Sequence, residues 1–424
     1  MTKYPAYKSG MKAIYADEHP VHYKGYPLLE SQMPLHTRQD IEAELRLRNE
    51  FFNPVFLSYD RPSRGDILEL WKTKFFILRD VHVDFAMALK RTVFSRYHGI
   101  DVFRPGYFAP STDVADEREP SDDLDSEEET FPRNLAVIGE SGSGKTSLLR
   151  SICKILPQVV VHNRYGDSKL MMKQLQYVRL ICPKKSGAKP LWTNFYLGFN
   201  KALGQQIKTR GWTEADLEEK IAQDVKTSGL GFIIIDEIQN MLFGDKRTEE
   251  LLAAFTRLNE LCGVPLVFVG TPEIGKYIES AMHSARRAAG VVRWKTLARG
   301  EEWDKWFPEV LTRGLVQVPL PFTTEISEYF YDFSQGRVDA AVSLFIKAQQ
   351  IALDGDREEI RGSDLDKAKE HLYLIANNLE KIREARRKKL QARLDAQSAE
   401  QKKAKKAGKI PVPNDPVPQL HAVM

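Results

Sequence analysis

The residues Gly139-Glu140-Ser141-Gly142-Ser143-Gly144-Lys145-Thr146-Ser147 have the types and spacing to hold the phosphates of a nucleoside triphosphate. The first eight fit the pattern G-x-x-x-x-G-K-[ST] in full. Glycines let backbone N–H groups close around the β-phosphate, and a helix N-terminus adds partial positive charge. Lys145 would reach the β/γ-phosphates and the Thr146 hydroxyl would hold Mg²⁺, so ATP and Mg²⁺ are the expected cofactors. The elements that such a loop needs flank it. Leu135-Ala136-Val137-Ile138 reads as a strand before it, and Ser147-Leu148-Leu149-Arg150-Ser151-Ile152 opens a helix after it. A glycine-rich turn matching by chance has no reason to be framed this way.

A second element supplies hydrolytic chemistry. Gly231-Phe232-Ile233-Ile234-Ile235 is the β-branched run of a buried parallel strand, and it ends in Asp236-Glu237. Acids at the carboxyl end of a central strand lie where open α/β sheets bind ligands. Asp236 would orient the Mg²⁺ shell and Glu237 would polarise the attacking water. A solvated acid pair at a strand end is common in α/β proteins; downstream of a phosphate loop, the pair points to an ATPase.

Length, charge and cysteines narrow the class. The chain has 424 residues, enough for two or three domains, and 42% of them are hydrophobic. No apolar stretch approaches the roughly 18–20 residues of a membrane-spanning helix, so no membrane association is expected. The first residues, Met1-Thr2-Lys3-Tyr4-Pro5, lack the apolar core of a signal peptide. Cys153, Cys182 and Cys262 are widely spaced among apolar neighbours, the pattern of reduced thiols in a cytosolic protein. The net charge of +4 hides a segregation. Asp113 to Glu129 holds ten acids and one arginine, whereas Lys381 to Lys409 holds twelve basic residues and three acids. Such blocks are solvated faces or disordered tails, or else the basic block is an arm for DNA or an acidic partner.

The expected organisation is an N-terminal, partner-binding extension over 1–112, an acidic loop over 113–130, an α/β core over 131–322, a small helical lid over 323–382 and a basic, largely disordered tail over 383–424. Residues 1 to about 48 read as an arm with little core of its own. Strands are expected at Leu135–Ile138, Gln158–His162, Val178–Cys182, Phe232–Ile235, Pro265–Val269 and Gly314–Val318, with helices between them; this alternation predicts a parallel, right-handed α/β sheet. Lid helices are expected at Glu325–Phe333 and Arg337–Leu353. A last helix capped at Ser363 carries an apolar seam from Leu365 to Ile382.

Further residues refine the kind of ATPase. Thr271, in Gly270-Thr271-Pro272 after the Pro265–Val269 strand, sits where the sensor 1 residue of AAA+ ATPases contacts the γ-phosphate or its water; a cap on the next helix explains it equally. Arg286 and Arg287, flanked by small residues, suit an arginine finger offered to a neighbouring subunit, or a solvated basic helix end.

The chain resembles the AAA+ regulators of transposition of the TnsC/TniB kind. The likeness lies in Ile138-Gly139 through Thr146, Ile235-Asp236-Glu237-Ile238-Gln239, Gly263-Val264-Pro265 with Gly270-Thr271-Pro272, Ser284-Ala285-Arg286-Arg287, and Ser334-Gln335-Gly336 before an Ala/Val/Phe-rich helix. It covers roughly residues 130 to 355, with a weaker echo in Phe51–Phe56. The resemblance implies an AAA+ P-loop NTPase core with a helical lid, in a bacterial cytoplasmic protein. It implies a homo-oligomer, assembled with ATP as a ring or helical filament on double-stranded DNA, with slow, switch-like hydrolysis. Its implied partners are a target-selector protein (TniQ/TnsD-like) and transposase subunits (TnsA/TnsB-like). Arg337, after Gly336, is either a sensor 2 arginine on the lid or the first exposed residue of its helix. Lys184, Lys185 and Lys189, in an expected loop after the Val178–Cys182 strand, are candidate DNA-phosphate contacts or an ordinary lysine-rich surface. Two other readings keep the same site: a replication-initiator or helicase-loader ATPase, and a nucleotide-binding scaffold with negligible turnover.

Overall fold

Asn134–Gly139, Phe232–Asp236 and Leu266–Gly270 are buried at every position, as in strands covered on both faces. The computed structural model describes residues 10–32, 35–105, 107–108, 134–183, 188–241, 245–275, 277–278 and 288–373. The N-terminal part holds β1 (Met11–Lys12), α1 (Pro27–Glu30), α2 (Arg38–Asn49), α3 (Arg61–Lys74) and α4 (Asp80–Tyr97). The core runs through β2 (Asn134–Gly139), α5 (Lys145–Ile155), β3 (Val159–Tyr165), β4 (Ser168–Leu175), β5 (Tyr177–Ile181), α6 (Ala188–Leu203), α7 (Glu214–Thr227), β6 (Phe232–Asp236), α8 (Asp245–Cys262), β7 (Leu266–Gly270) and β8 (Ala288–Trp294). The lid follows as α9 (Glu301–Leu311), α10 (Thr324–Ser334) and α11 (Val338–Asp354).

Five strands form one parallel sheet in the order β5-β6-β7-β2-β8. Two expectations need correction. The run at 158–162 is a strand, but it lies outside the parallel sheet. Gly166-Asp167 turns the chain back, Tyr165 faces Ser168, and β3 pairs antiparallel with β4 in a second sheet of order β1-β3-β4. Gly314–Val318 is not a strand; Val318 makes a single bridge to Glu359, while Leu315 and Val316 are buried. The fifth strand is β8, paired along the whole of β2.

Alternation along each strand divides the core in two. Ala136, Ile138, Ile233, Ile235 and Phe268 face α6, α7 and α8, through Phe195, Leu217 and Phe255 among others. Leu135, Val137, Phe232, Ile234 and Val267 face the other way, onto Phe85 and Leu89 of α4 and onto Leu148 and Ile152 of α5. The expectation of an arm with little core over residues 1 to about 48 is therefore corrected: Leu28, Leu29, Ile41 and Leu45 are buried in this same cluster, beside α4. The preceding helix, α3, serves the lid instead. Trp71 meets Phe345 with ring centroids 6.0 Å apart. Arg64, 2% exposed, donates to the Leu315 carbonyl at 2.7 Å and to both oxygens of Glu358 at 2.8 and 2.5 Å. Arg61 Nε adds a bond to Glu358 at 2.9 Å.

A second unit begins at Asp366, and its described residues, 366–373, are helical. The helix that leads into it starts at Gly362, ahead of the expected cap at Ser363, because the Asp364 carboxylate accepts the Arg361 N–H at 2.9 Å. The rest of the expected seam lies outside the described residues. No described helix is long and apolar enough to cross a membrane.

The hydrogen bonds from Arg64, with Arg61 and the Gln317 N–H, hold the Glu358 carboxyl at about 2, below its ordinary 4.5. This stabilisation is present above about pH 4.5 and is lost as pH falls through about 2. Glu358→Gln leaves buried Arg64 without its charged partner but with the Leu315 carbonyl and a neutral acceptor, so urea denaturation at neutral pH should show a loss of about 1.5–3 kcal/mol. A loss below about 0.5 kcal/mol would mean that this clamp does not hold the lid to α3.

Candidate nucleotide site

The loop between β2 and α5 closes on its own lysine. Gly142 (φ +79°) and Gly144 (φ +105°) take the left-handed conformation that admits a glycine without strain. A Cβ on Gly142 would also lie 2.3 Å from an Asp339 carboxylate oxygen of α11. The Ser143 hydroxyl donates to the Glu140 carbonyl at 2.7 Å, and the Trp294 indole N–H donates to the Ser143 carbonyl at 2.6 Å. Inside the turn, Lys145 Nζ donates to the carbonyls of Gly139 at 2.6 Å and Glu140 at 2.7 Å. Burial pushes the Lys145 ammonium below its ordinary range, against the opposing pull of Glu237, Asp236, Glu140 and Glu273. Ser141 and Thr146 are exposed, and Ser147 is half-buried on the first turn of α5.

The acid pair stands two strands away, beyond β7. Asp236 is buried, with one oxygen accepting the Glu237 N–H at 2.9 Å and the other accepting Arg179 Nη2 at 2.6 Å. Glu237 is itself left-handed (φ +56°), so the chain turns sharply between the two acids. Gln239 Nε2 donates to Glu237 Oε2 at 2.6 Å, and Gln239 Oε1 accepts the backbone N–H of Thr271 at 3.3 Å. Thr271 thus sits at the tip of β7, between the acid pair and the phosphate loop, and is tied there by its main chain. Arg337 is exposed at the start of α11, beside Val338 and Asp339, which approach the loop; the Asp339 N–H reaches the Gly142 carbonyl at 3.4 Å.

A cavity adjoins the loop, lined in part by Phe76, Arg79, His82, Ser147, Trp294 and Val338. The segment from Phe75 to Arg79 joins α3 to α4, so the N-terminal part provides one wall and the lid another. His82 Nδ1 accepts the Arg79 N–H at 2.9 Å, and its ring lies edge-on to Trp294 at 5.1 Å. Arg79 stacks over Trp294 at 5.4 Å.

The structure brings together Gly139 through Ser147, Asp236, Glu237 and Thr271, with Arg337 two residues before Asp339, which meets the loop at Gly142. Lys189 is exposed, but on the first turn of α6 rather than in a loop, and it donates to the Trp212 carbonyl at 2.5 Å. Lys184, Lys185, Arg286 and Arg287 lie outside the described residues. Sequence reasoning missed Arg179, Trp294, the Phe75–Arg79 wall and Asp339. Gln239 had no expected role in the site.

Sheet order, loop and acid pair define a P-loop nucleotide-binding core of the AAA+ type with a helical lid. Residues 131–278 match the AAA domain family. None of the curated proteins matches the chain by sequence. Among solved structures, the ORC1 protein of Aeropyrum pernix in complex with DNA is similar at 16% identity, over 57% of this chain and 60% of that one, with a TM-score of 0.40. Cdc6p of Pyrobaculum aerophilum follows at 17% identity, over 63% and 70%, with a TM-score of 0.37. A Walker-type ATPase of Pyrococcus abyssi is similar at 18%, over 60% and 71%, with a TM-score of 0.38.

Burial, with Arg79 beside it, pushes His82 down to about 3 from its ordinary 6.5. Between these values the unfolded chain takes up a proton that the folded chain excludes, so stability should fall as pH drops below about 6.5. The melting temperature should therefore be lower at pH 5 than at pH 7, and His82→Gln should narrow the difference. An unchanged difference in that variant would remove His82 as the cause.

Proposed function

We propose that this chain is a Mg²⁺-dependent AAA+ ATPase whose ATP-bound form assembles as a ring or filament on double-stranded DNA and couples a target-selecting protein to a transposase. The observation that carries the ATPase half is the convergence of Lys145, Asp236, Glu237 and the tip of β7 on the mouth of the phosphate loop. ATP fits that loop: no side chain projects from Gly142 or Gly144, and Lys145 already engages carbonyls that phosphate oxygens would displace. The Thr146 hydroxyl and the Asp236 carboxylate, which also accepts from Arg179, are the hard oxygen donors that would hold Mg²⁺. Bound there, Mg²⁺ would neutralise charge on the β- and γ-phosphates.

The residues then divide the work. Lys145 holds the β/γ-oxygens. Glu237 accepts a proton from the water as its oxygen bonds to the γ-phosphorus, and the bond to the β–γ bridging oxygen breaks, giving ADP and phosphate. Thr271 contacts the γ-phosphate or the water as sensor 1, Arg337 approaches from the lid as sensor 2, and Arg286 and Arg287 serve a neighbouring subunit's nucleotide. Lys184, Lys185 and Lys189 are the proposed phosphate contacts to DNA. The transposition half rests on the resemblance of the Asp-Glu-Ile-Gln, Gly-Thr-Pro and Ser-Ala-Arg-Arg stretches to TnsC/TniB-type regulators.

Electron microscopy and mass measurement with duplex DNA should show assemblies only when ATP or a slowly hydrolysed analogue is present. Lys145→Ala should abolish them. Glu237→Gln should keep nucleotide binding, lose at least about 100-fold in turnover and prolong the assembly on DNA. Assembly indifferent to nucleotide, or to Lys145→Ala, would sink the proposal; nucleotide-dependent loading of a helicase would replace transposition with replication initiation.

A further inference from the structure

Gln239 touches two parts of the site that lie just beyond the last paired residues of β6 and β7, Ile235 and Phe268. Its Nε2 lies 2.6 Å from Glu237 Oε2, and its Oε1 lies 3.3 Å from the Thr271 nitrogen. Chemistry leaves one orientation for this amide. A carboxylate only accepts and a backbone N–H only donates, so the NH₂ must face Glu237 and the oxygen must face Thr271.

The surroundings fix the amide in place. Ile238 is fully buried, and the single turn Ile238–Met241 is anchored where Asn240 donates to the Cys182 carbonyl at 3.1 Å and its N–H reaches the Glu237 carbonyl at 2.9 Å. On the other side, a Cβ on Gly270 would stand 3.1 Å from Gln239 Oε1 and 2.6 Å from Ile238 Cγ2. Only a residue without a side chain lets the tip of β7 come this close, which gives Gly270 its reason. Glu237 projects from a sharp left-handed turn, with no strand continuing beyond it to hold its side chain.

We propose that Gln239 is a positioning residue for hydrolysis: it aims the Glu237 carboxylate at the attacking water and ties that aim to the position of the β7 tip. The inference rests on the ATPase reading, in which Glu237 takes the water's proton. The bond to β7 goes to the main chain of Thr271, so displacement of that strand end, whatever the side chain of Thr271 does, displaces the carboxylate.

The isostere separates this from a packing role. Gln239→Glu has the same shape and still accepts the Thr271 N–H, but turns an oxygen toward Glu237 in place of a donor. Steady-state kinetics and nucleotide binding should be measured for the wild-type chain, Gln239→Glu, Gln239→Ala and Glu237→Gln, with melting temperatures alongside. Both Gln239 variants should lose 10-fold or more in kcat while the Kd for a slowly hydrolysed ATP analogue stays within about twofold. Hydrogen exchange of the peptide spanning Thr271 gives a second readout that needs no activity: protection should persist in Gln239→Glu and fall in Gln239→Ala. If Glu237→Gln abolishes turnover while both Gln239 variants keep the wild-type kcat, the positioning role falls and the ATPase reading stands. A rise in kcat, or a matched loss of binding and melting temperature, would also overturn it. If Glu237→Gln itself turns over normally, the ATPase reading fails, and the role of Gln239 with it.

Discussion

The site depends on β7 pairing with both β2 and β6. Neighbouring strands lie about 4.8 Å apart, so one intervening strand sets the phosphate loop and the acid pair roughly 10 Å from each other. In the proposed mechanism that gap holds a terminal phosphate and a water between Lys145 and Glu237, and Glu237 is already the largest charge acting on the Lys145 ammonium. Parallel direction matters as much. The carboxyl ends of β2, β6 and β7 all emerge on one edge, so Gly139, Asp236 and Gly270 hand the chain to loop, acid pair and strand tip on the same side.

A parallel sheet with both faces apolar needs cover on both. Here α6, α7 and α8 supply one layer, and the N-terminal part completes the other beside α5. Its two longer helices are divided between bodies, α4 on the sheet and α3 on the lid through Arg64, Glu358 and the Trp71–Phe345 contact. The short stretch between them must therefore pass the phosphate loop. The position of Phe75 to Arg79 as a wall of the cavity is a consequence of which helix packs where.

Much of this was legible because phosphate chemistry restricts residue type. A loop that must bring N–H groups to an anion needs glycines, a lysine and a hydroxyl in fixed order, and that order survives without tertiary context. What depends on partners across the fold was not legible. The run at 158–162 has the composition of a strand, but composition does not say which strand it will pair with; Gly166 decided that. Strand β8 opens with Ala288-Ala289-Gly290, weak strand formers that are held in line by β2 rather than by their own preference. Leu315 and Val316 are apolar because they are buried beneath the lid, and periodicity alone cannot separate that cause from pairing. Arg179 lies mid-strand, and nothing local marks it as the partner of Asp236.

The two acids of the pair show where sequence reading stops. Side by side in the chain, they have opposite surroundings. Asp236 is buried, with one oxygen accepting a charge-assisted hydrogen bond from Arg179 and the other a backbone hydrogen bond from Glu237, so its carboxylate is held in one orientation. Glu237 lies past the turn, exposed, with one oxygen held by a neutral amide. The proposed mechanism asks one acid to anchor and the other to act on the water, and a single reversal of chain direction at φ +56° gives the two their different surroundings. What distinguishes these neighbouring carboxylates is that backbone turn and their different partners, Arg179 for Asp236 and Gln239 for Glu237.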